Sequence, residues 1–202
     1  MGKGIHVIKD PTVAKLLADE NRRHILHFLR HHEMSATGLA KALKKNHSSI
    51  VHHLNLLKGA GLIEETKTEQ VRNIVQPYYR SVADRFHVSY SLSEALTEDE
   101  SFTAWQEEVQ QRMLDGLGSF GFEFPEEKRE KVKELLTEYH TLQRKAFEET
   151  VLRQGNPKEL GRHVYYGLVR FLTRLKLAQD SEYREAMEEL AAILEFKGVE
   201  DR

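Results

Sequence analysis

The chain contains no cysteine. Disulfides, thiolate metal sites and cysteine nucleophiles are thereby excluded. Four prolines and twelve glycines among 202 residues give no low-complexity tract. No apolar run approaches the roughly 18 residues of a spanning helix, and no signal peptide is visible at Met1. A cytoplasmic protein without membrane association is expected. The sequence also lacks a His-Glu-x-x-His pair, a Gly-x-Ser-x-Gly elbow, a phosphate-cradling glycine loop and a dinucleotide fingerprint. Its adjacent carboxylates, Glu64-Glu65 and Glu107-Glu108, are sequence neighbours that point apart and make poor acid–base pairs. The expectation is a protein that is not an enzyme and carries no cofactor.

What is present is an uneven charge. Residues 1–80 hold 13 Lys+Arg against 7 Asp+Glu, net +6, and eight of the eleven histidines; residues 81–202 hold 17 against 25, net −8, which together give the chain's −2. A basic head on an acidic body points to phosphate recognition by the head.

The head is organised around residues 46–63. Asn46 is placed to cap a helix, Ile50, Leu54 and Leu57 recur at i, i+4 and i+7 as one apolar stripe, and Gly59 and Gly61 offer positions to end it. His47, Ser48, Ser49, His52 and Asn55 fall on the opposite side, which carries short hydrogen-bonding groups in place of a Glu/Lys coat. Upstream, Asp10-Pro11 reads as a helix start, residues 22–32 as a second helix, and Ser35 as the cap of a third over 36–43, with Lys44-Lys45-Asn46 as a turn. Residues 1–9 read as an extended arm that pairs with a partner or frays. Residues 62–79 read as a hairpin with Lys67-Thr68-Glu69-Gln70 at its tip. Three helices, a polar-faced fourth and a hairpin make a winged helix-turn-helix. On this reading His47, Ser48, Ser49, His52 and Asn55 face bases. Lys44, Lys45, Lys58, Lys67 and Arg72 are candidate phosphate contacts; for each one alone, a solvated surface cation is an equal reading.

The run Arg22-Arg23-His24-Ile25-Leu26, then Ser35…Leu39-Ala40…Leu43, then Ser49-Ile50-Val51-His52-His53-Leu54…Leu57…Ala60-Gly61-Leu62-Ile63, resembles the ArsR-type winged-helix transcription factors. The closing Tyr78-Tyr79-Arg80-Ser81-Val82-Ala83-Asp84 and the helical extension resemble a subgroup known among archaeal regulators. The resemblance covers residues 8–90 and implies a homodimeric repressor on double-stranded DNA, with recognition helices (46–59) in successive major grooves of an inverted-repeat operator and wings (62–79) beside them. Where the family often carries arginine this chain has His52, and Val51 stands where serine is common. The helix is thus left without a bidentate guanine reader. An architectural DNA binder of low specificity and a protein-interaction module remain as alternatives.

From Leu92 onward the apolar period is helical. Helices are expected over 94–118, 125–154, 158–179 and 182–196, a four-helix bundle over residues 91–202 that dimerises the 1–90 head or holds a small-molecule effector. Phe102, Trp105, Phe120, Phe122, Phe124, Tyr139, Tyr165 and Tyr166 are read chiefly as core, and secondarily as the lining of an effector pocket. His24, His27 and His31, at i, i+3 and i+7, could offer imidazoles to a metal, yet Ile25, Leu26 and Leu29 define the buried side of that helix. These histidines are expected to face solvent, and no metal is expected. The fold class expected is mostly α with a small β-wing.

Overall fold

A computed structural model describes residues 4–71, 74–153 and 157–196. The chain divides into two compact units, residues 1–88 and 89–202. The fold is mostly α with a small β-wing, a winged helix-turn-helix followed by a helical region.

In the first unit, short acidic and hydroxyl side chains set the helix starts. Asp10 accepts from the Thr12 N–H at 2.8 Å and, with Pro11 at the first helical position, opens α1 (Pro11–Lys15). A 3₁₀ turn, Leu16–Ala18, follows. Asp19 is the cap of α2 (Glu20–His31), which begins two residues before the expected start, and accepts from Arg22 N–H at 2.9 Å. Ser35 caps α3 (Ala36–Leu43), as its position in the sequence suggests. Lys44 takes the left-handed φ of 53° to reverse the chain into α4 (His47–Gly59).

Two details of α4 differ from expectation. Asn46 occupies the cap position with extended backbone, but its side chain makes no capping bond. Gly59 lies within the helix, and the positive φ needed to leave it (68°) falls on Gly61 alone.

The wing spans nearly the residues expected, but its turn lies further along the chain. β3 (Ile63–Val71) pairs antiparallel with β4 (Ile74–Ser81), with a bulge at Thr66. Lys67–Gln70, read as the tip, therefore lie in the strand, where Lys67 opposes Tyr78 and Glu69 opposes Gln76. Two-residue β2 (Met34–Ser35) adds to the other edge of β4, giving the order β2-β4-β3. The arm, expected to pair with a partner or fray, instead forms β1 (Ile5–Ile8), which pairs in parallel with β5 (Arg85–Val88) of the same chain. The buried core of this unit includes Leu17, Ile25, Leu26, Leu29, Leu39, Ile50, Leu54, Leu57, Leu62 and Ile63.

In the second unit the expected helix over 94–118 is divided. A turn at Tyr90–Leu92 leads into α5 (Ser93–Leu96), and Asp99 caps α6 (Glu100–Leu117) through the Phe102 N–H at 2.9 Å. β6 (Phe122–Glu123) follows. After a turn at Glu126–Lys128 comes α7 (Arg129–Leu152), the central rod. Gly161 (φ 72°) separates α8 (Pro157–Leu160) from α9 (Arg162–Gln179). α10 (Ser181–Ile193) ends before β7 (Glu195–Phe196), which pairs antiparallel with β6. α6, α9 and α10 all pack on α7. One apolar cluster joins Leu114, Val132, Leu135, Ala186 and Leu190, and another joins Leu142, Ala146 and Leu177.

The buried Glu148 ties α7 to the first residues of this unit. It accepts from Ser89 Oγ at 2.8 Å and from the Tyr90 N–H at 2.9 Å, while Arg144 donates to Ser89 O at 3.2 Å.

Candidate nucleic-acid interface

α4 has two chemically distinct sides. Ile50, His53, Leu54 and Leu57 are buried. His47, Ser48, Ser49, His52 and Asn55 are all exposed, on one continuous polar surface without a carboxylate. Because Asn46 does not cap the helix, its first N–H groups are left to solvent or to an incoming anion, and the positive end of the helix dipole adds to their pull.

His53 is held differently from its neighbour. Its ring lies 5.7 Å from that of His52, yet it is buried and its Nδ1 has no hydrogen-bond partner among the described residues. Burial lowers its pKa below the ordinary histidine value; Asp19 opposes the shift, while Arg22 and His52 add to it. It belongs to the packing of α4, and His52 belongs to the surface.

Lys44 and Lys45 flank this surface. Both are exposed and have no ion-pair partner among the described residues. Lys41, in the last turn of α3, is exposed in the same way; in the sequence, one lysine in an amphipathic helix carries no signal.

The other expected phosphate contacts are less available. Lys58 Nζ lies 2.7 Å from Glu65 Oε2, and its pKa is raised by that hydrogen bond and charge. Lys67 Nζ lies 2.6 Å from Glu69 Oε1 and 4.7 Å from the centre of the Tyr78 ring; the hydrogen bond to Glu69 raises its pKa, and the same bond lowers that of Glu69. Each must exchange a carboxylate for a phosphate before it contacts DNA. Along β3 the cation Lys67 stands among Glu64, Glu65 and Glu69. Arg72 lies outside the described residues.

The arginines of α2 are structural. Arg22 Nε donates to Leu16 O, and Arg23 Nη1 donates to Leu17 O at 2.8 Å and Ala18 O at 2.7 Å, so both guanidiniums close the end of the preceding turn. Arg30 reaches Asp84 O at 3.1 Å, and Arg80 lies 3.9 Å from Glu33. Part of the basic excess is therefore used inside the fold, while Lys41, Lys44 and Lys45 stay open to solvent together at the α3–α4 turn.

His24, His27 and His31 are exposed on α2. His27 and His31 have ring centres 5.6 Å apart, and His27 Nδ1 lies 3.0 Å from Arg30 Nη2, a cation that disfavours a second one. Among the described residues no group of three or more histidines and carboxylates is arranged to hold a metal.

Among the described residues the aromatics of the second unit pack in several places. Phe102 is buried edge-on to Trp105, Phe124 packs on the Leu114 cluster, and Phe120 is 77% exposed. Tyr165 lines a groove of about 510 Å³ between α7 and α9, beside Leu160, Leu168, Val169, Leu172 and Leu175.

Among the described residues no helix is long and apolar enough to cross a membrane. No curated protein gives a significant match to the chain. A family model described as "Bacterial regulatory protein, arsR family" matches residues 19–65, from the cap of α2 into β3; this stretch carries the polar face of α4 and supports a DNA-binding transcription regulator.

Proposed function

We propose that the chain is a homodimeric, sequence-specific repressor that occupies an inverted-repeat operator and blocks transcription sterically. Residues 1–90 bind DNA, and residues 91–202 hold two heads together and receive the signal. One observation carries this: α4 turns a carboxylate-free row of His47, Ser48, Ser49, His52 and Asn55 outward, backed by Ile50, Leu54 and Leu57 and led in by Lys44 and Lys45. A helix of this kind fits the major groove, where Asn55 can bond an adenine edge bidentately and the serines and histidines can bond several bases. The lysines and the uncapped helix start set the register on the phosphates.

The test is selection of bound duplexes from random DNA by the purified full chain at moderate salt. An inverted repeat with half-sites about 10 base pairs apart is the expected outcome. DNA retained without any motif favours an architectural binder instead. That second reading draws on the absence of an arginine from the polar face of α4 and on the carboxylates of β3. A folded protein that retains no DNA at low salt removes both readings and leaves a protein-docking surface.

A further inference from the structure

α9 is apolar on two sides, and the second unit covers only one of them. Tyr165, Val169, Thr173 and Leu177 are buried at four-residue spacing. Val164, Leu168, Phe171, Leu172 and Leu175 are 41–60% exposed. A helix with two apolar faces in water has a partner for each.

The spacing of the uncovered face identifies the kind of partner. Val164, Leu168, Phe171, Leu175 and Ala178 recur at alternating steps of four and three residues. This 3.5-residue period is that of a helix packed along another helix. The buried face lacks it. With Leu160, which is 45% exposed and lines the same groove as Leu168, Leu172 and Leu175, these side chains leave on the order of 500 Å² of apolar surface uncovered. That stands toward the upper end of what a monomer leaves open, and it is more than half of the roughly 800 Å² per partner of a standard stable interface.

The same face is complementary to itself. We propose that α9 pairs antiparallel with α9 of a second copy of this chain, with the two-fold axis through Phe171. Phe171 then meets Phe171 of the second copy, Leu168 meets its Leu175, and the larger Val164 meets the smaller Ala178. Charge restricts the register: α9 carries Arg162, His163, Arg170, Arg174 and Lys176 and no carboxylate, so two copies pair only where these cations do not face one another. Paired this way, the one cation flanking the seam, Arg174, lies beside Gly167 of the second copy and opposite no other cation. Gly167 has space to receive it. A Cβ there would meet nothing within 4 Å, so packing within the chain does not require a glycine in this helix interior.

The inference deepens the dimeric part of the proposed function and is independent of DNA binding. Its test uses the absence of cysteine. The full chain is weighed by light scattering across protein concentration, and single cysteines are introduced on α9. A dimer is expected. Phe171→Cys cross-links to itself under mild oxidation, while Leu168→Cys and Leu175→Cys cross-link to each other when mixed and not alone. Phe171→Glu, which brings two carboxylates together on the axis, raises the dissociation constant by about a hundredfold or more with the helical circular dichroism unchanged. Gly167→Leu also weakens the dimer. A monomer at all concentrations overturns both the dimeric reading and this face. A dimer in which Phe171→Cys does not cross-link keeps the dimeric reading and overturns this face. Self-cross-linking of Leu168→Cys overturns the antiparallel register.

Discussion

His52 and His53 are adjacent, share a side-chain chemistry and have opposite environments. His52 is exposed on the outward side of α4, where its ring nitrogens can meet a base edge. Replacing it with alanine is expected to change which sequences a random-DNA selection recovers. An equal loss of affinity across all sequences would show that it does not read bases. His53 is a matter of stability. Burial lowers its folded pKa, so the unfolded chain binds the proton more readily. Stability is therefore complete above the ordinary histidine value of 6.5 and is lost as pH falls through it and on through the lower folded value. The buried side of His140 acts with the same sign. His53→Gln is expected to flatten part of the fall in urea midpoint between pH 7 and 5; an unchanged slope would assign the whole effect elsewhere.

Among the elements, those whose information is local could be read from the sequence. Ser35 and Asp10 announce helices because their side chains satisfy N–H groups two or three residues on, and the Ile50–Leu54–Leu57 stripe needs only helical periodicity. The exposed side of α4 follows from that same period. What could not be read depends on distant partners. β1 and β5 are four residues each and exist as a pair across 80 positions; β6 and β7 are two residues each. The ion pairs of Lys58 and Lys67 depend on the strand register, which the misplaced hairpin tip obscured. Glu148 is a similar case, since in sequence it is one of many glutamates on a helix. In the fold it is 4% exposed and accepts two hydrogen bonds from residues almost sixty positions away. Glu148→Ala leaves Ser89 Oγ and the Tyr90 N–H without these acceptors and is expected to cost about 2–4 kcal/mol, read from chemical denaturation. A loss below about 0.5 kcal/mol would mean that water replaces the carboxylate at no penalty.

At the scale of the whole molecule, the question is how much of the head's net +6 reaches DNA. Arg22, Arg23, Arg30 and Arg80 are engaged within the fold, and Lys58 and Lys67 are held by glutamates. Lys41, Lys44 and Lys45 remain exposed at the turn. Doubled by the proposed dimer, they make about six phosphate contacts, which correspond to a slope of about −5 in log K against log salt, or about a thousandfold loss of affinity between 50 and 200 mM. Lys44→Ala with Lys45→Ala removes four of the six, and the slope is expected to fall to about −2. Lys67→Ala is expected to change it less, because Lys67 is already paired with Glu69 and must give up that carboxylate before it contacts a phosphate. Binding measured over a salt series on one selected duplex separates these outcomes. A double variant with an unchanged slope would move the phosphate contacts away from the α3–α4 turn, and α4 would then lose its assignment as the element lying in the groove.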